Sequence, residues 1–264
     1  MLSKNPSVVN HVSEKHLENI HEIATGKKAG YASLKIINKF SAALKEELNA
    51  TRETPDLIGS VSIPHSNSKM GEVTSVSTLP LITCPSSCYG TCGKICYAVK
   101  LANVRPSVLK SYARNTAIFL KSPDRYFAEI DLAARAVRYF RFHVSGDIVN
   151  ADYFDRMVDV CRKNPKTEFL CFTKNFETVN RFVAKNGGSA AAAIPENLHM
   201  LYSGGAGVEM SNPFNFPETT IILDEKDFDP DTMKFCEGSC FGCAYRGVGC
   251  WQAKSGDIIA FKKH

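Results

Sequence analysis

Eight of the ten cysteines fall in two short windows, Cys84, Cys88, Cys92 and Cys96 toward the front and Cys236, Cys240, Cys243 and Cys250 near the end. Thiolates gathered at this density are the donors of zinc sites and iron–sulfur clusters. The front group repeats every four residues. On a helix, twelve residues rise ~18 Å and drift by ~120°, so one helical face could not close around one metal. Pro85, Ser86, Ser87, Gly90 and Gly93 instead mark Thr83–Cys96 as a loop, which can fold back and bring sulfur atoms together. The rear group, Cys236-x3-Cys240-x2-Cys243-x6-Cys250, has Gly238, Gly242, Gly247 and Gly249 among its donors, where tight turns are needed. It suits a closed zinc site of four thiolates or a cubane cluster, and spacing alone leaves both open. Cys161 and Cys171 sit among apolar neighbours in a helical and a strand pattern, and read as buried core thiols.

Other polar residues cluster at the ends of predicted strands. A two-residue period puts Arg141 and His143 on one side of their strand, facing a site or paired in the core. Ser145 shares that side only if the strand continues regularly. Lys174 follows a strand end, where it could hold a carboxylate or phosphate or simply be solvated. Tyr202 and Ser203 are weaker candidates. The mixture of aromatic and basic residues over Arg138–His143 is explained by strand alternation without invoking nucleic acid.

The elements that would position these groups alternate. Helices are predicted over Val104–Leu120 with Pro106 in the first turn, over Asp124–Val137 with Tyr126, Phe127, Ile130, Leu132 and Ala134 on its apolar positions, over Asp152–Lys163, and over Phe176–Lys185 before Gly187-Gly188. Strands are predicted at Leu79–Ile82, Tyr139–Val144, Glu168–Phe172, Leu198–Tyr202 and Thr220–Leu223, each followed by polar residues or glycine. That alternation implies a parallel sheet with crossover helices, an α/β fold closed or partly closed into a TIM-like (β/α) barrel. Loops after the strands form the active face of such folds, so the front cysteines would lie there. Residues 1–55 read as a helical extension, with helices at Ser13–Gly26 and Ser33–Leu48, the second carrying Leu34, Ile37, Ser41, Leu44 and Leu48 as a seam. Residues 56–264 form the cysteine-rich domain.

Composition limits the classes. The 264 residues, 44% hydrophobic and 22% charged, are those of a soluble globular protein of one large domain with an extension. No stretch approaches the ~20 apolar residues that cross a bilayer, and no signal core opens the chain. A cytoplasmic, thiol-reducing compartment is expected, with no membrane partner. A net charge of +5 permits attraction to nucleic acid without arguing for it.

Several spaced motifs carry a resemblance. Thr83-Cys84-Pro85, Cys96-Tyr97-Ala98-x-Lys100, Phe140-Arg141-x-His143-x-Ser145-Gly146-Asp147, Phe172-Thr173-Lys174 and the tail through Cys250-Trp251 and Phe261-Lys262-Lys263-His264 resemble the phage and plasmid gene product 88 family. The resemblance covers roughly residues 60–264 and leaves the helical N-terminus outside. More distantly, a cysteine loop after the first strand and a Gly-Asp turn after the second are similar to radical S-adenosylmethionine enzymes. That likeness implies a partial barrel of their type and a [4Fe-4S] cluster on Cys88, Cys92 and Cys96, with one iron free for the cofactor. It also implies Tyr97 beside S-adenosylmethionine and Ser145, Gly146 and Asp147 at the cofactor's ammonium. His143 and Lys174, read from their strand positions, join them as expected cofactor-binding residues. The front spacing, Cys-x3-Cys-x3-Cys, has one residue more than that superfamily's, and Cys84 is a surplus thiol. The rear group then reads as an auxiliary cluster or zinc. Three functions follow as expectations: an iron–sulfur enzyme of this type on an unknown substrate, a zinc- or cluster-stabilised nucleic-acid-binding protein, or a redox or scaffold protein without substrate chemistry.

Overall fold

A computed structural model of the chain describes residues 34–51, 61–68, 70–88, 92–205 and 207–262. The helix expected at Ser13–Gly26 lies outside the described residues. Seven strands form one sheet: β1 (Thr74–Val76), β2 (Tyr139–Phe142), β3 (Glu168–Thr173), β4 (Leu198–Ser203), β5 (Glu218–Ile222), β6 (Met233–Phe235) and β7 (Ile258–Lys262). Their order is β1-β2-β3-β4-β5-β7-β6 and every pairing is parallel. Among the described residues the sheet is open between β1 and β6, so the architecture is α/β with a parallel sheet and shows no closed barrel. The edge at β1 is partly covered, since Ser75 donates its amide to Pro64 O at 2.9 Å.

The helices are α1 (Leu34–Ala50), α2 (Tyr97–Val104), α3 (Pro106–Lys121), α4 (Pro123–Arg135), α5 (Ala151–Lys163), α6 (Phe176–Lys185), α7 (Ala190–Ala193) and α8 (Cys240–Arg246). Local chemistry sets their limits. Pro106 and Pro123 occupy first turns, where a missing N–H costs nothing. Asn150 and Asn175 cap α5 and α6, accepting from Tyr153 and Thr178 amides. No helix among the described residues is long and apolar enough to cross a membrane.

The sheet is largely buried on both faces from β1 to β4, as suits parallel strands, whereas the edge strand β6 is mostly exposed. Phe140, Phe142, Phe169, Cys171, Met200 and Tyr202 face the helices, packing with Phe119, Tyr126, Tyr153 and Phe154. Ile37, Phe40 and Leu44 of α1 join this core, and each such burial stabilises by ~1.5–3 kcal/mol. The opposite face, built from Leu170, Leu201 and Ile259, is covered by Met70, Val73 and the rear cysteine segment with Cys243, Ala244 and Trp251. Cys161 and Cys171 are buried core thiols, as their surroundings in sequence implied.

Three expectations are corrected. The first strand is Thr74–Val76 and not Leu79–Ile82, which is a turn with Leu81 at φ 68°. The apolar run is buried by side-chain packing beneath α3, so it imitates a strand. Leu132 is 55% exposed, because it lies outside the buried stripe of Tyr126, Phe127, Ile130 and Ala134. Arg141 and His143 do not share a side. The strand ends at Phe142 and His143 takes φ 59°, which turns its ring toward the helices while Arg141 faces the rear cysteines.

Candidate functional site

The C-terminal ends of β1, β2 and β3 meet at the front cysteine loop, and buried hydrogen bonds hold them in register. Asn115 on α3 accepts from Ser62 N (2.7 Å) and donates to Ser62 O (3.0 Å) and Ser77 O (2.9 Å). Thr116 Oγ1 accepts from Leu79 N at 2.9 Å, and Thr78 and Thr83 hydroxyls lie 3.0 Å apart. The Ser145-Gly146-Asp147 turn docks against this pair. Ser145 Oγ donates to Thr78 O (3.1 Å) and Asp147 N donates to Thr83 Oγ1 (3.3 Å). Gly146 has φ 77°, and a Cβ there would stand 2.0 Å from Thr78 Oγ1 and 2.5 Å from Thr83 Oγ1. Only glycine fits between the turn and the loop.

Asp147 is buried and ties three segments together. Its carboxylate accepts from Ile148 N (2.7 Å), Thr173 Oγ1 (2.6 Å) and Lys174 N (2.8 Å). Burial raises its pKa to about 6 even though these donors favour the anion. The Lys174 ammonium is also buried. It donates to Ser203 O, to Ser203 Oγ (2.8 Å) and to Gly204 O (3.3 Å), so its three N–H groups end on β4 and its loop. His143 is held neutral, with its pKa lowered to about 3 by burial and by the Arg141 charge. Its Nε2 lies 3.0 Å from Tyr153 Oη.

The front cysteines approach one another and this pair of charges. Cys96 is the N-cap of α2, and the Ala98 and Val99 amides of its first turn favour the thiolate. The Cys92 thiol hydrogen bond is the largest of the effects that bring the Cys96 pKa down to about 6. That hydrogen bond also makes Cys92 harder to ionise. Burial pushes Cys88 up to about 12 and Cys84 well up too. The Lys174 charge acts on Cys88, Cys92 and Cys96 in the direction that favours thiolate. Tyr97, 40% exposed as a whole residue, donates its hydroxyl to Val144 O, and the loss of water around that hydroxyl raises its pKa.

The rear cysteines come together on the other sheet face. Cys236 follows β6 and donates its amide to Ala260 O at 2.8 Å. Ser239 caps α8, which carries Cys240 and Cys243, and Gly247 ends it at φ 63°. Cys250 follows, and Trp251 Nε1 donates to Cys240 O at 2.9 Å. The Cys250 thiol, raised to about 12 by burial, feels Cys236, Cys240 and Cys243. Arg141 lies beside them, with Nη1 3.5 Å from Cys240 Sγ and from Met70 Sδ, and its guanidinium 4.6 Å from the centre of the Phe172 ring. Its Nε is buried without a partner among the described residues.

Both groups border one cavity of about 710 Å³. Cys84, Cys88, Cys92, Cys96, Cys236 and Cys240 line it, together with Tyr97, Arg141, His143, Ser145, Gly146, Asp147 and Lys174. All six residues expected around a cofactor therefore border the same space. Cys243 and Cys250 stand back from it, packed with Trp251. Among the described residues no three Cys, His, Asp or Glu side chains are drawn close enough to form a finished metal site. The donor sets nonetheless fit soft, thiophilic ions: four thiols in each group, near enough to feel one another's charge, with the buried Lys174 beside the front set and the half-buried Arg141 beside the rear one. Sequence reasoning placed Thr83 in a motif without its role, and missed the other residues that position the loop, namely Thr78, Asn115 and Thr116. Only their polarity within apolar runs could have flagged them.

No curated protein and no solved structure matches the chain. One family does, gene product 88, over residues 33–224. The match starts earlier than the motif resemblance did, taking in α1, and it ends before the rear cysteine group. It spans well over half of the chain, with the front cysteines, the Gly146-Asp147 turn and Lys174 inside it, so the protein belongs to the gene product 88 family.

Proposed function

We propose that this is an iron–sulfur enzyme of the radical S-adenosylmethionine type, with its reaction site in the cavity between the two cysteine groups. The carrying observation is that Cys88, Cys92 and Cys96, the three thiols expected to hold the cluster, line one cavity of about 710 Å³ together with Asp147 and Lys174. A purely structural thiolate site is closed, whereas a catalytic one keeps an open side. A cluster held there would supply an electron and an open coordination position.

The chain's own residues prepare that space. Lys174 offsets the negative charge of the thiolates, and the α2 amides steady Cys96. Asp147 already accepts three hydrogen bonds, which fixes its orientation and leaves capacity for one donor such as an ammonium. Tyr97 walls the cavity beside Cys96, and Gly146 lets the turn approach the cysteine loop.

The rear group supports a second assignment, structural zinc or an auxiliary cluster, because Cys243 and Cys250 are packed away from the cavity. Anaerobic purification tests both. Iron and sulfide in the protein, followed by 5′-deoxyadenosine when reductant and S-adenosylmethionine are added, are the expected results. Colourless protein containing zinc alone would overturn the catalytic reading. Iron and sulfide without 5′-deoxyadenosine would leave a redox or scaffold role.

A further inference from the structure

Residues 73–123 contain no aspartate or glutamate, yet they carry Lys94, Lys100, Arg105, Lys110, Arg114 and Lys121. This segment supplies β1, the front cysteine loop, α2 and α3, and so a whole wall of the cavity, including Ile95, Leu101, Ser107 and Tyr112. Lys110 and Arg114 are answered by Glu47 at 3.9 and 3.3 Å. Lys94, Lys100 and Arg105 are exposed next to lining residues and have no carboxylate partner among the described residues. The interior repeats the sign. Arg141, Lys174 and Lys262 line the cavity, and Asp147 is the sole carboxylate among its described lining residues. Aromatic surfaces of Tyr97, Tyr112, Phe172 and Phe261 stand among them.

The exposed carboxylate of Glu237, between lining residues Cys236 and Gly238, is answered by Arg246. A cavity with positive walls, a rim of net positive charge and flat aromatic surfaces selects a ligand with phosphates spaced along a chain and planar groups between them. We propose that the substrate is single-stranded nucleic acid. The rim cations hold backbone phosphates, and one nucleotide enters the cavity with its base against the aromatic walls. This rests on the reading of the cavity as the reaction site and names its substrate class. Exposed carboxylates on the rim would repel such a chain, which gives their absence over this segment a physical use.

The test uses anaerobically purified full-length protein and fluorescein-labelled single-stranded DNA and RNA of about 20 nucleotides, followed by anisotropy over a salt series from about 50 mM. The variant Lys94→Glu, Lys100→Glu, Arg105→Glu is compared with Lys163→Glu, Lys166→Glu, Lys185→Glu, which makes the same charge change at exposed sites away from the cavity. Expected are binding by wild type, a loss of about tenfold or more in the rim variant, and a salt slope shallower by about 2, from three contacts at ~0.7 each. The control variant should bind like wild type. Absence of binding at the lowest salt, equal loss in both variants, or displacement by polyglutamate as effective as by unlabelled oligonucleotide would overturn the proposal. Iron and sulfide measured on the same preparations separate the two readings. Metal retained without nucleic-acid binding rejects the substrate alone, and metal absent from wild type rejects the cluster.

Discussion

His143 and Asp147 are buried a few residues apart and burial moves their protonation equilibria in opposite directions, which gives an unusual dependence of stability on pH. The His143 pKa is lowered from 6.5 to about 3. Its stabilisation is present above the unfolded value and is lost as pH falls from 6.5 toward 3, because only the unfolded chain takes up the proton. The Asp147 pKa is raised from 3.8 to about 6. Its contribution is full below 3.8 and is lost as pH rises through about 6. Each changes stability by about 1.4 kcal/mol per pH unit in its window. Between about pH 6 and 4 the two slopes oppose, so their sum is nearly flat, and below about pH 4 the His143 loss stands alone. The whole swing is ~5 kcal/mol for His143 and ~3 kcal/mol for Asp147. Urea unfolding from about pH 7 to 3.5 of wild type, His143→Gln and Asp147→Asn reads both. Between about pH 6 and 4 the stability gap between wild type and His143→Gln should narrow by ~3 kcal/mol, and that to Asp147→Asn should widen by a similar amount. Gaps that stay constant with pH would refute the argument, because they would mean that neither group titrates differently in the folded state.

Other substitutions probe separate links. Gly146→Ala should cost ~2–4 kcal/mol, from the left-handed backbone and from displacing the turn's hydrogen bonds to Thr78 and Thr83, as measured by urea midpoint. Asn115→Ala should cost a similar ~2–4 kcal/mol in the same assay, since three hydrogen bonds to the segment around β1 are lost. Cys92→Ala should lower the iron bound at the front group, and unchanged content would remove it from the ligand set. Arg141→Met should raise the stability of the metal-free protein by ~1–3 kcal/mol in the urea assay, because a buried Nε–H without a partner among the described residues is removed. The same change should speed metal loss to a chelator, because the counter-charge beside Cys240 goes with it.

Much of the strand–helix alternation was readable. The sequence periods of Glu168–Phe172 and Phe176–Lys185 correspond closely to β3 and α6, because a doubly buried strand and a one-sided helix leave distinct patterns. The failures have physical causes. Leu79–Ile82 is buried by tertiary packing, which a strand and a sheltered turn share. The β6 and β7 strands went unread, since three and five residues flanking a cysteine segment carry little period of their own. His143 defeated the two-residue rule through one positive φ, a property that no side-chain pattern encodes for a histidine. At the site, cysteine density was visible because the residue type itself is the signal. The Asn115 and Thr116 clamp was not, since its meaning depends on contacts dozens of residues away.

The last strand, β7, is inserted between β5 and β6 and is not added at the margin. The rear cysteine segment is therefore the crossover that joins two neighbouring parallel strands, filling the place a longer helix would take. Until that connection is made, β5 lacks its second neighbour and the face carrying Leu201 and Leu170 stays uncovered. Assembly of this region must then wait until the chain through β7 has been made. An ion captured by the four rear thiols would act as a late fastener, locking the sheet only after its final strand has been threaded into place.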